Sequence, residues 1–255
     1  MEFIDTHAHP HMEGYELSPD EFIDKANRSD VMTIVCIGTE AEDSRRAIEF
    51  AKTNPGCYAS IGLHPHEAKL HDDQKQNLAR LVTDERVVAV GECGLDYYYE
   101  HSPRDNQKSA LRGQIELAVE NDLPLVFHVR EAFEDFFAIF DEYAANTKIR
   151  GVVHSFTADK ATAKACMDRG LYVGLNGIMT FTKDDSQLDA AKYISLGSLV
   201  LETDAPFLTP VPFRGKVNDS GHVRTVAEFL ANLRGESLED IARATTQNAK
   251  ELFRI

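Results

Sequence analysis

The sequence predicts an α/β protein of the (β/α)8 barrel class, carrying one extra helix at its C-terminus. Three observations predict it. Eight short runs rich in Val, Ile and Leu recur along the 255 residues, and segments between them space apolar residues as amphipathic helices do. Continuous apolar strands flanked by helices mark parallel strands covered on both sides, and eight such units favour a closed barrel over an open sheet. Residues of metal-binding type then fall at the ends of these runs: His7 and His9 after "EFID", Glu92 after "VVAVG", His128 after "PLVF", His154 after "GVV" and Asp204 after "LVLET". In a barrel the C-terminal strand ends share one rim, so the recurrence predicts a metal site there.

In chain order, the runs predict strands at 2–6, 32–37 ("MTIVCI"), 57–62, 87–91, 124–128, 151–154, 171–175 and 198–202. Helical spacing between them is carried by Leu111, Ile115 and Val119 before the fifth strand, and by Ala161, Ala165 and Met167 before the seventh. After the eighth, the Pro-rich stretch "APFLTPVPFRGKVND" reads as a long loop over the active-site face, where loops serve substrate more than stability. Val223, Val226, Ala227, Leu230 and Leu233 then line one helix face, Gly235 stops it, and "SLED" reads as a capping box opening a last helix that closes the barrel or packs beside it.

No solenoid-length repeat, low-complexity tract or linker interrupts this order, so one domain over 1–255 is expected. The first residues run straight into a strand without a charged segment followed by an apolar one. No later apolar run approaches the roughly 20 residues that span a bilayer. A soluble, cytoplasmic protein is expected, with no membrane association and no stable protein partner. Cys36, Cys57, Cys93 and Cys166 lie singly, without the close pairs of a zinc knuckle, and read as reduced structural thiols. The formal net charge of −15 excludes a broad basic surface for nucleic acid, so an anionic substrate must be caught locally. A centre with two divalent ions would be locally positive despite its carboxylates.

His7 and His9 alternate along a strand and so leave it on one face. Glu92, His128, His154 and Asp204 reach the same rim from other strands. A lone His at a strand end is more often a hydrogen-bonded packing residue, but that explanation does not cover six residues converging on one rim. Four imidazoles and two carboxylates suit Zn, Mn, Fe, Co or Ni, and Mg less naturally. Arg130, two residues beyond His128, has the fork geometry for a phosphate. Arg214 and Lys216 put positive charge on the long loop, and Tyr97, Tyr98 and Tyr99 form an aromatic loop able to stack on bases. Cys93, next to Glu92, should turn away from the rim.

"DTHAH", "GLHPH", "GECGLDYYY", "FHVREA", "HSFTA" and "LETDAP", in this order, resemble the TatD family of metal-dependent hydrolases within the amidohydrolase-like barrels, from residue 4 to the last helix. The resemblance implies two divalent ions (Mg, Mn or Zn) and deoxyribonuclease activity, often releasing nucleotides from a 3′ end of DNA. By the same resemblance His7, His9 and Asp204 would hold one ion and His128 and His154 the other, with Glu92 bridging. Asp204 would be the general base and His64 a phosphate or leaving-group contact. Two ions about 3.5–4 Å apart can activate a water and clamp both oxygens of a phosphodiester displacement. Two departures stand out: Ser220 where the family pattern suggests Pro, and Asn176 where Ser is commoner. The same centre could attack a small ester, lactone or amide, and a non-catalytic metal-stabilised binding protein is a third reading.

Overall fold

Eight strands pair in parallel, each with the next in sequence, in the order β1 to β8. They are β1 Phe3–Ala8, β2 Val31–Ile37, β3 Cys57–Ile61, β4 Val87–Asp96, β5 Leu125–Arg130, β6 Gly151–Val153, β7 Tyr172–Leu175 and β8 Leu199–Leu201. The helices between them are α1 Pro19–Arg28, α2 Ala41–Thr53, α3 His71–Leu81, α4 Arg104–Glu120, α5 Phe133–Ala144, α6 Lys160–Asp168 and α7 Asp185–Tyr193. Helices α8 Val223–Arg234 and α9 Leu238–Phe253 follow. This computed structural model describes residues 1–145 and 147–255. The chain forms a (β/α)8 barrel, as its periodicity predicts.

Local chemistry explains several element ends. Ser18 and Glu21 form a reciprocal capping box at the start of α1, and Ser237 accepts the Asp240 amide at the start of α9, satisfying amides that lack partners in the helix. Gly235 closes α8 in the left-handed region at φ 68°, where glycine is least strained. Two expectations need correction. Strand β4 does not end at residue 91: it runs on through Glu92 to Asp96, buried throughout, so Glu92 lies within the strand. Gly94 sits in this strand at φ 148° against the carbonyl of His128, an approach no side chain would permit. In α6 the buried residues are Ala163 and Cys166 rather than Ala161 and Ala165, because alternating small alanines carry little phase information.

The barrel interior is filled near its N-terminal end by Ile4, Val35, Val88, Val126, Val152 and Val200, and α9 adds Ala249, Leu252 and Phe253 to the same cluster. The last helix therefore plugs the end opposite the rim. Asn248 Nδ2 donates to the carbonyls of Leu196 and Leu199, and Thr246 Oγ1 to that of Glu2, fixing α9 beneath β8 and β1.

The seam between β8 and β1 is joined differently from the other strand pairs. Beyond one isolated bridge, Ala8 to Ala205, it is held by Thr6 Oγ1 on the Leu201 carbonyl (3.0 Å) and by Asp5. The Asp5 carboxylate accepts the amides of Thr203 (3.0 Å) and His7 (3.2 Å) and the hydroxyls of Thr203 and Ser220 (both 2.6 Å). Ser220, standing where a proline was expected, thus ties the start of the short 3₁₀ turn Ser220–His222, which leads into α8, to β1. Among the described residues no helix is long and apolar enough to cross a membrane.

Candidate metal centre

The six rim residues converge. His7 and His9, two apart in β1 and its continuation, bring their Nε2 atoms to 3.2 Å. Asp204, following β8, places Oδ1 3.6 and 3.4 Å from them; its own amide donates to the His7 carbonyl (2.8 Å) across the seam. Glu92 lies between two clusters, with Oε2 3.4 Å from His7 Nε2 and Oε1 2.8 and 3.0 Å from His154 Nε2 and His128 Nδ1. His7 and His154 stack at 3.9 Å between ring centroids.

Which nitrogen faces the centre is set by what holds the other one. His9 Nδ1 lies 2.8 Å from the Ile37 carbonyl, an acceptor only, so the proton sits on Nδ1 and Nε2 presents a lone pair inward. His128 Nε2 lies 3.0 Å from Asp96 Oδ2, which leaves Nδ1 facing Glu92 and His154 Nε2 at 3.3 Å. His154 Nδ1 is 3.7 Å from Glu202 Oε1. For His9 and His128, carbonyl or carboxylate behind, imidazole between and lone pair forward is the arrangement that orients histidine toward a metal; Glu202 faces His154 as a charge beyond hydrogen-bond reach. His7, His9 and Asp204 form one group able to hold an ion, and His64, Glu92 and His128 another. The donor set fits divalent ions, because lone pairs and carboxylate oxygens this close are stable together only around a cation or shared protons.

His64 differs. Its Nδ1 accepts the His66 amide (3.2 Å), so the neutral ring carries its proton on Nε2 and turns an N–H toward Glu92 Oε1 at 3.4 Å. Burial pulls its pKa down to about 4. That tautomer suits a hydrogen-bonding neighbour better than a ligand. Burial would also raise Glu92, but the surrounding imidazoles, His154 foremost, outweigh it and hold the carboxylate well below its ordinary range. Burial likewise opposes protonation of His154, yet Glu92 and Glu202 outweigh it and push the ring well above its usual value.

Two acidic residues here were not singled out from sequence. Asp96, the last residue of β4, holds His128 and His66 on Oδ2 (both 3.0 Å) and the amides of Tyr98 and Tyr99 on Oδ1. Glu202 accepts the Ser155 amide (2.7 Å) and Asn176 Nδ2 (3.1 Å), and its carboxylate fits only because Gly174 offers no Cβ. An acidic side chain inside an apolar run must have partners, and that was the available signal.

The centre opens into a cavity of about 430 Å³ whose wall includes Arg130 and Tyr99. The Arg130 guanidinium lies 4.0 Å from the Tyr98 ring and 4.8 Å from Tyr99; those rings are exposed, whereas Tyr97 is half-buried and bonds Asp135 (2.6 Å). Arg214 and Lys216 do not reach the centre and line a neighbouring cavity. Cys93 turns away, its thiol facing the Val126 carbonyl, and all four cysteines are free and buried.

The model of the family described as TatD related DNase matches residues 4–254. The chain belongs to the TatD family. It is 40% identical over 253 residues to the uncharacterized metal-dependent hydrolase YabD of Bacillus subtilis, covering 99% of both chains. It is 30% identical over 242 residues to the 3′-5′ ssDNA/RNA exonuclease TatD of Salmonella typhimurium, covering 92% of this chain and 93% of that one. The crystal structure of the TatD homologue YjjV from Escherichia coli K12 superposes with a TM-score of 0.93 at 30% identity, over 99% of this chain and 98% of that one. This TatD chain is thus a metal-dependent hydrolase. Its Asn176 bridges Ser155 Oγ (3.0 Å) and Glu202 and accepts the Ile178 amide (3.1 Å), so it orders the support behind His154 rather than the open pocket.

Proposed function

We propose that this TatD-family chain, acting as one barrel domain over residues 1–255, is a cytosolic nuclease releasing nucleotides from the 3′ ends of single-stranded DNA. The observation that carries it is the position of Arg130, stacked on exposed tyrosines beside an open cavity whose floor is the Glu92-centred cluster. Arg130 offers a phosphate two parallel N–H donors in a geometry lysine lacks. The similarity to the 3′-5′ ssDNA/RNA exonuclease TatD of Salmonella typhimurium supports the same substrate class and polarity.

His7, His9 and Asp204 would hold one divalent ion and His128 and His154 the other, with Glu92 between them. Bound there, the ions supply a water that is nucleophilic near neutral pH and Lewis acidity toward the phosphoryl oxygens. Asp204 directs Oδ1 to the histidines and takes the attacking water's proton on Oδ2. Arg130 orients the phosphate, and the His64 Nε2–H lies at the cluster's edge to contact phosphate or leaving oxygen.

The test is nucleotide release from 3′-labelled and 5′-labelled single-stranded DNA with Mg²⁺, Mn²⁺ or Zn²⁺, beside a chelator control and Asp204→Asn. Release from the 3′ label that needs metal and vanishes in the variant is expected. No release from metal-loaded protein, with hydrolysis of a simple ester instead, would overturn the nuclease reading.

A further inference from the structure

The cavity above the metal centre shares a wall with a second one. Met12 and Phe207 line both, and beyond them lies a space of about 490 Å³ bounded in part by Tyr15, Arg214 and Lys216, with one acidic residue, Glu16. Phe207 is 49% exposed, yet its backbone is pinned on both sides. Its amide donates to the Asp204 carbonyl (2.8 Å), and its carbonyl accepts Nδ2 of the buried Asn218 (2.5 Å), which also holds the Thr203 carbonyl (3.0 Å). The ring stands edge-on to His9, 6.4 Å between centroids. A large apolar side chain half in water on an ordered backbone, between two hollows, offers an exposed flat face.

The charge beside it is equally placed. Arg214 lies 3.9 Å over the Phe181 ring and donates Nη1–H to the Thr209 carbonyl (2.9 Å), which orients the fork and leaves its other donors free. Thr209 Oγ1 donates to the Lys216 carbonyl (2.7 Å), fixing the turn that carries both cations. Neither Arg214 nor Lys216 pairs with a carboxylate among the described residues, although acidic side chains outnumber basic ones 42 to 27.

We infer that this second cavity is the subsite for the nucleotide adjoining the one at the metal centre: its unpaired base stacks on Phe207 while Arg214 and Lys216 hold its phosphate. The inference rests on the nuclease reading and deepens it. Every base has a π face, so such a subsite grips a strand without reading its sequence. Because Phe207 stands between the hollows, successive bases must part around it, which a single strand allows and an intact duplex resists.

The experiment uses the full-length, metal-loaded protein and thymidine oligonucleotides in which one abasic residue is stepped away from the cleaved end. At one position the lost base should lower kcat/KM about tenfold. Phe207→Leu should lose about the same on the intact oligonucleotide, and the two losses together should not multiply. In Arg214→Gln/Lys216→Gln, the log–log salt slope of KM should flatten by about 0.7, the value for one phosphate contact on a single strand. Multiplying losses, indifference to every abasic position or an unchanged salt slope would overturn the subsite while leaving the nuclease reading intact. Failure of the wild type to cut any oligonucleotide would overturn both. Metal content and melting temperature of each variant separate a folding defect from lost contact.

Discussion

Asp96 and Glu202 act on histidines rather than on open space, so their loss should appear first in metal retention. Asp96→Asn and Glu202→Gln are each expected to weaken metal affinity roughly 10- to 100-fold with the barrel intact, measured as metal content after dialysis against graded chelator. Retention equal to wild type would mean that neither carboxylate fixes the ring behind which it sits. Protons report on the same pairing. In the metal-free protein His154 and His128 hold protons above the ordinary imidazole range, because neighbouring carboxylates outweigh burial, whereas an ion needs both rings neutral. Ion uptake should therefore release protons near neutral pH, and affinity should fall as pH falls. Calorimetry in two buffers of different ionisation enthalpy checks this, and identical heats would contradict it. The six converging residues were legible in the sequence because each is of ligand type at the end of, or just beyond, an apolar run. Asp96 was hidden because an Asp before three tyrosines reads as a turn, and Glu202 because the eye passes over it to Asp204.

At the scale of elements, the eight strands were legible from apolar runs, while their ends depended on contacts between strands. Gly94 inside β4 is the clearest case: only its approach to β5 explains it. Asp5 is another, an acid buried in the first strand whose four donors come from the end of β1, the segment after β8 and the turn before α8. Removing the carboxyl in Asp5→Ala would strand those donors and should cost about 2–4 kcal/mol. Burial, set against the same hydrogen bonds, pushes the Asp5 carboxyl up from 3.8 to about 7. Between those values the folded chain keeps a proton that the unfolded chain loses, so this group makes stability fall as pH rises. Asp5→Asn imitates the protonated form and should gain on wild type as pH rises from 3.8 to about 7. Urea midpoints in chelator read this out, and a pH-independent difference between the two proteins would refute it.

For the whole molecule, barrel class, an extra C-terminal helix and acidic balance could all be read in advance, and the division of the pocket by Phe207 could not. That division depends on a loop whose course is fixed by Asn218 and Asp204 rather than by any periodicity. Because donors on several strands meet at one centre, metal binding should stabilise the entire barrel. With free metal near a hundred times its dissociation constant the gain is about 2.7 kcal/mol, so chelation should lower the melting temperature by about 5–10 °C. A melt unaffected by chelator and restored metal would show that the barrel does not depend on the centre.

The seam between β8 and β1 joins residues 198 positions apart in the chain, Asp5 and Thr203, and His7, His9 and Asp204 face one another across it. Synthesis reaches His7 and His9 almost at once and Asp204 only after four-fifths of the chain is made. A partial chain thus carries the histidines with no carboxylate opposite and no eighth strand to close the ring. Chemistry that needs His7, His9 and Asp204 together should therefore begin only once the chain has passed its eighth strand and closed the seam.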